Sequence, residues 1–107
     1  MDGLQTTIEK LKANNPNFIK KINGYTMVPN WFIASNSFSI YEKMVLIVIK
    51  KHLMNKKECW PSIKTIAKEA DCSEYSAKKA INSLVEKDRL TKKPNGHFRN
   101  NVYSTNI

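Results

Sequence analysis

The chain has 107 residues, 41% of them hydrophobic, and a net charge of +9. That length fits one domain with a modest core, and the apolar fraction excludes disorder throughout. No apolar run approaches the roughly 18 residues of a membrane span, and residues 1–3 do not open a basic-then-apolar leader, so no membrane contact is expected and the cytoplasm is the expected compartment.

Residues 1–17 predict a short helix. Leu4, Ile8 and Leu11 recur on one side, Thr6-Thr7-Ile8-Glu9 reads as a capping box, and Asn14-Asn15-Pro16 ends it. A helix this short must pack on its own domain or on a second subunit. Phe18-Ile19-Lys20-Lys21-Ile22 and Tyr25-Thr26-Met27-Val28 flank Asn23-Gly24, the pattern of a tight β-hairpin. Residues 1–24 thus form an arm with apolar groups to spare, and a homodimer is the expected assembly.

Pro29 to Ala34 predicts a helical turn, with Pro29 near its first position and Trp31 and Phe32 in the core. Ser39-Ile40-Tyr41-Glu42 is a capping box that starts a helix running to about Asn55. Its run Met44 to Ile49 is apolar on all sides, which makes this the central buried helix. Lys50, Lys51, Lys56 and Lys57 crowd its end, where the helix dipole favours cations. Glu58-Cys59-Trp60 is long enough for a short strand.

Residues 61–88 read as two helices joined by a tight turn. Ile63, Ile66, Ala67 and Ala70 share one helical face behind a Ser62 cap. In the turn Asp71-Cys72-Ser73, Asp71 tolerates the left-handed conformation and Ser73 is a second cap. From Glu74 to Asp88, Ala77, Ala80, Ile81, Leu84 and Val85 face one way, and Tyr75, Lys78, Lys79, Asn82, Ser83 and Glu86 the other. Small alanines where the helices cross make a helix-turn-helix, with a plain αα-hairpin as the alternative. Residues 89–107 weigh against that alternative, because they read as a polar β-hairpin turning at Asn95-Gly96. The expected architecture is α+β: one winged helix-turn-helix domain over residues 1–107, with an extra N-terminal helix and β-hairpin.

The charge is unevenly spread. Residues 1–61 carry nine basic and four acidic groups, residues 62–88 five of each, and residues 89–107 four basic groups and no acid. A strongly basic small domain usually meets a polyanion, and phosphate contacts supply most of its affinity. Cys59 and Cys72 make no disulfide framework, and with His52 and His97 they match no zinc spacing, so no metal or cofactor is expected.

Tyr25-Thr26-Met27-Val28-Pro29-Asn30-Trp31, Ser39-Ile40-Tyr41-Glu42-Lys43 and Cys59-Trp60-Pro61-Ser62 resemble the winged-helix domains of bacterial plasmid and phage DNA-binding proteins. Many of these are replication initiators and replisome organisers. The resemblance covers about residues 25–105 and implies double-stranded DNA as ligand, no enzymatic activity, and other origin-binding, relaxosome or replisome proteins as partners. A stand-alone domain of this size also resembles conjugation accessory proteins of the TcpK type, which mark an origin of transfer. Members often carry Gly just after the recognition helix and in the turn, where this sequence has Arg89 and Asp71. Family domains are often the front half of a longer initiator. Here the chain stops after the wing, so no helicase-loading or nicking module is expected.

In the usual docking the second helix enters the major groove. The expected DNA contacts are Ser73, Tyr75, Ser76, Lys78, Lys79 and Asn82 on that helix. On the wing they are Lys92, Lys93, Asn95, His97, Arg99, Asn100 and Asn101. Asn82 suits adenine and a lysine suits guanine, but the helix offers no arginine. The wing is undiluted by acid, so it is expected to carry as much of the recognition as the helix. A promoter-binding transcription regulator is the close rival, because fold does not fix function. A protein-interaction module is a third reading. An enzyme is least expected: a nicking tyrosine among Tyr25, Tyr41, Tyr75 and Tyr103 would need a metal site that two histidines are too few to build.

Overall fold

The computed structural model describes residues 24–96 and 100–107. Among them run α1 (Asn30–Ala34), α2 (Ile40–Leu53), α3 (Ile63–Glu69), α4 (Glu74–Glu86), β1 (Leu90–Lys93) and β2 (Val102–Thr105). The expected N-terminal helix and the first strand of the expected hairpin, residues 1–23, lie outside the described residues. The second strand of that hairpin, residues 25–28, lies within them and forms no strand.

Local chemistry sets the helix starts. Ser39 Oγ accepts from the Glu42 amide at 3.2 Å, and the Glu42 carboxylate accepts from the Ser39 amide at 3.3 Å, the reciprocal pair of a capping box. Ser62 accepts from the Thr65 amide at 3.0 Å and Ser73 from the Ser76 amide at 3.0 Å. Each cap satisfies an amide that has no partner inside its helix.

The helix ends of the helix-turn-helix share one device. After α3, Asp71 sits at φ 56, with Cys72 N–H on the Ala67 carbonyl and Asp71 N–H on the Lys68 carbonyl. After α4, Asp88 sits at φ 58, with Arg89 N–H on the Leu84 carbonyl and Asp88 N–H on the Val85 carbonyl. Both are Schellman motifs with aspartate where glycine is usual. The left-handed residue after α4 is therefore Asp88 and not Arg89, and the helix stops short of the predicted Asp88 end. α2 also ends earlier than expected, at Leu53. There Met54 adopts φ 52, and Lys56 N–H closes a turn on the Leu53 carbonyl at 2.7 Å.

The core forms around α2. Val45, Leu46, Val48, Ile49 and Leu53 pack with Ile66, Ala67 and Ala70 of the α3 segment and with Ala77, Ala80, Ile81 and Leu84 of α4. Phe32, Cys59, Leu90 and Tyr103 close its edges. The expectation that Trp31 and Phe32 both enter the core is corrected. Neighbouring helical side chains point about 100° apart, so one faces in and the other out. Phe32 is fully buried with its ring 4.9 Å from that of Phe38, whereas Trp31 is 51% exposed. The Arg89 guanidinium lies 5.2 Å over the Trp31 ring.

Glu42 is the one buried charged residue among those described, at 8% exposure. Lys87 Nζ donates to its carboxylate at 2.8 Å and to the Ser37 carbonyl at 2.7 Å. Burial pushes the Glu42 carboxyl up, but the bonds from Lys87 and Ser39 outweigh it and hold the group below its ordinary value. This pair ties the end of α4 to the start of α2.

β1 and β2 pair antiparallel, from Leu90 opposite Thr105 to Lys93 opposite Val102. The predicted strand at Glu58-Cys59-Trp60 contracts to one bridge. Cys59 and Tyr103 exchange backbone hydrogen bonds of 3.0 and 2.7 Å. The predicted turn at Asn95-Gly96 is also corrected. A two-residue turn there would set Pro94 opposite His97, but the observed register leaves residues 94–101 between the strands. Burial decides this. The observed pairing carries Tyr103 into the core beside Cys59, at 3% exposure, and a local turn preference cannot outweigh that. The base of the wing is closed by Thr105 Oγ1 donating to the Arg89 carbonyl and by Asn106 Nδ2 donating to the Asp88 carbonyl.

Candidate nucleic-acid interface

α4 is amphipathic, and its buried face fixes what it turns outward. With Ala77, Ala80, Ile81 and Leu84 in the core, Tyr75, Lys78, Lys79 and Asn82 stand exposed. Ser73 and Ser76 are occupied with capping: the Ser73 hydroxyl accepts from the Ser76 amide and also donates to the Ser76 hydroxyl at 3.0 Å. They position the first turn of the helix.

The wing runs back alongside this helix. Strand alternation puts Leu90 and Lys92 on one face, opposite Thr105 and Tyr103. Leu90 and Tyr103 fill the core, and Lys92 reaches the helix, donating from Nζ to Asn82 Oδ1 at 2.9 Å. Helix and wing enclose a groove of about 320 Å³. Lys78, Asn82, Lys92, Asn100 and Asn101 line it, over a floor that includes Pro61, Ile63 and Tyr103. No carboxylate lines it among the described residues. Burial pushes the pKa of the Tyr103 hydroxyl up, against the lowering effect of the neighbouring Asn101 side chain. Asn100 Nδ2 donates to the Trp60 carbonyl at 3.2 Å, tying the loop of the wing to the segment before α3.

The groove therefore gathers five of the thirteen expected contacts. Tyr75 and Lys79 lie outside it on the open face of α4, and Ser73 and Ser76 lie at the start of that helix. Lys93 projects from the opposite face of the wing and pairs with Glu58 at 3.2 Å. Asn95 is half-buried in the loop after β1. His97 and Arg99 lie outside the described residues. The Asn82 carbonyl oxygen accepts from Lys92, and its amide N–H groups remain on the groove side as donors.

Sequence reasoning missed the Asn82–Lys92 contact and the floor at Pro61 and Ile63. A signal for the first exists: Asn82 and Lys92 are equidistant in sequence from Lys87, where the chain reverses. Pro61 and Ile63 read in the sequence only as punctuation and core. Burial pushes the Cys59 thiol up to about 11 despite the nearby Lys56 charge, and so keeps it in the thiol form. Among the described residues, no group of three His, Cys, Asp or Glu is placed to hold a metal ion, and no helix is long and apolar enough to cross a membrane.

With this geometry in view, residues 39–88, which span α2, α3 and α4, match a family model described as a helix-turn-helix domain. No curated protein and no solved structure matches the chain. The match supports a helix-turn-helix of the DNA-binding kind. With the antiparallel hairpin behind it, the fold is a winged helix.

Proposed function

We propose that this winged helix-turn-helix binds a specific sequence of double-stranded DNA. α4 enters the major groove, and one strand's backbone runs along the basic groove between α4 and the wing. The observation that carries this reading is the groove itself. Two lysines and three asparagines converge there without a carboxylate, although Glu74 and Glu86 stand on the same helix. Such a surface suits phosphate oxygens and base edges. The target is an origin of transfer or of replication in a plasmid or phage, a reading that rests on the sequence resemblance. The chain acts as a homodimer on a repeated site, and origin-binding, relaxosome or replisome proteins are its further partners. The exposed Tyr25, Met27, Trp31, Ile33 and Ile40 leave apolar surface for such an assembly.

The wing contributes as much as the helix. Lys92 lies in the groove, and residues 89–107 contain no acid, whereas α4 opposes its lysines with glutamates. Binding titrations on duplex probes tiling the gene's neighbourhood, at two salt concentrations and with random competitor, test the proposal. Tight binding to one repeat that survives competitor is expected, and an origin repeat rather than a promoter separates transfer or replication from transcription. Equal binding to all probes that collapses with salt would refute sequence-specific recognition. A monomer in sedimentation at tens of micromolar (an order-of-magnitude choice set by typical weak dimers) would refute the homodimer.

A further inference from the structure

We infer that Trp60, with Lys56, forms a second nucleic-acid contact on the outer side of the wing: a stacking site for one unpaired nucleobase. The inference rests on the duplex-binding reading above, which supplies the strand that would reach it.

Strand alternation sets the direction of Trp60. Cys59 pairs with Tyr103 and is buried, so Trp60 is turned to the opposite face of the sheet, and it is half exposed. The core does not use this ring, and a large flat apolar group left half in solvent is the surface an unpaired base can cover. Lys56 lies over the ring, with its ammonium 5.9 Å from the centroid. The turn that ends α2 closes on the Lys56 amide, and it holds Met54 at φ 52, a conformation that L side chains rarely adopt.

Ring and ammonium border a pocket of about 240 Å³, completed by His52, Cys59 and Pro61. No carboxylate lines it among the described residues. The acids nearby in sequence are already matched: Glu58 pairs with Lys93, and Glu69 with Lys51 and His52. The pocket therefore offers a π face with net positive charge beside it.

The pocket also continues the duplex groove. Pro61 borders both, and Asn100 of the wing loop holds the Trp60 carbonyl. A strand following the groove past the wing arrives at this ring. Bases inside a duplex are covered on both faces, so the group that stacks here must be unpaired. Stacking on an aromatic ring tolerates any base, because each has a π face, and a lysine beside it suits the flanking phosphate.

The test uses the full chain carrying Trp31→Phe, which leaves Trp60 as the single tryptophan. Three probes are titrated: the blunt duplex site, the same duplex with a single-stranded thymidine tail, and an oligoglutamate peptide. The tailed duplex is expected to bind several-fold more tightly than the blunt one and to quench Trp60 emission. Trp60→Leu keeps the apolar volume and removes the π face. It should abolish the gain and leave blunt-duplex affinity unchanged, and Trp60→Phe should restore part of it. Lys56→Ala should reduce the gain without abolishing it.

An equal affinity for blunt and tailed probes overturns the inference. So does a Trp60→Leu loss that falls equally on both, or quenching by oligoglutamate and not by the tail, which would mark a protein ligand. If the blunt duplex does not bind at all, the duplex reading fails by itself. Free oligothymidylate then decides the stacking site: quenching sustains it and no quenching ends it.

Discussion

α4 and the wing flank the same groove but are built on opposite terms. α4 is held along its length, with four side chains in the core, a serine cap at one end, a Schellman motif at the other and the Glu42–Lys87 pair behind it. The wing puts Leu90, Val102 and Tyr103 below one-tenth exposure, and outside that it is held by the backbone pair between Cys59 and Tyr103 and by side-chain bonds to Asn82, Glu58 and Trp60. Charge runs the other way: the helix is nearly balanced and the wing is wholly basic. Stability and affinity are therefore separable in this molecule. Substitutions in α4 should be felt first in folding, and substitutions in the wing first in binding.

The sharpest way to break that comparison is Leu84→Ala. Leu84 is fully buried, and truncating it should cost about 2–5 kcal/mol of unfolding free energy in a denaturant titration. A cost under about 1 kcal/mol would mean that α4 is no better anchored than the wing.

Glu42→Gln comes next. It removes the carboxylate from Lys87 and from the capping box, and about 1–2 kcal/mol should be lost. The pH dependence carries the sign. The Glu42 carboxyl is held below its ordinary 4.5, so its contribution is fully present above that value. It is lost as pH falls from there through the folded-state value. The wild-type chain should therefore destabilise on acidification more steeply than Glu42→Gln, and parallel curves would show that the pair does not couple α4 to α2. Glu69 is also lowered, by its bonds from Lys51 and then His52, and adds to the same acid loss in both proteins.

Affinity is the third axis. Lys92→Ala with Lys93→Ala should weaken duplex binding more than Lys78→Ala with Lys79→Ala. The wing pair should also flatten the salt dependence by about one unit in the log–log slope, for the phosphate that Lys92 no longer neutralises, because Lys93 is paired with Glu58 on the other face. Thermal stability should move little in either. Reversed losses would give the lead to the helix, equal losses would leave the wing no lead over it, and a large fall in stability on removing Lys92 would show that its bond to Asn82 is chiefly structural.

The smallest expected effect is a gain. Asp71→Gly and Asp88→Gly relieve a left-handed backbone at a residue with a Cβ, and each should add about 0.5 kcal/mol, net of the greater freedom of glycine in the unfolded chain. Neither should disturb the groove. A loss at Asp88 would show that its side chain does more than tolerate the turn.

The regular part of this fold is legible in the sequence because its signals are local. Ser39, Ser62 and Ser73 each stand just before an apolar period, and a serine hydroxyl needs only the next turn to act as a cap. Asp71 is legible as the left-handed residue because it lies between two clear periods. Asp88 is not, since Lys87-Asp88-Arg89 carries no glycine and the helical pattern fades into it. The register of the wing is not legible either, because Asn95-Gly96 is a strong local signal and the burial of Tyr103 is a tertiary one. The five polar groove residues are recognisable one by one as donors, but their convergence depends on how far the wing folds back along α4, and no local pattern encodes that.

The backbone bonds between Cys59 and Tyr103 have a consequence for the order in which the molecule forms. They fasten two points between which lie α3, α4 and the connection through the wing, so they close one long loop around the whole helix-turn-helix. Contacts of such sequence separation form after the helices have docked, because the chain entropy they cost is recovered only once the intervening segments are compact. In amide hydrogen exchange, the Cys59 and Tyr103 amides should exchange only through opening of the whole domain, whereas the exposed middle of β1 exchanges by local fraying. A polypeptide emerging from the ribosome would then possess a finished α4 before it possesses a wing, and would gain the second wall of the groove only once β2 has followed it out.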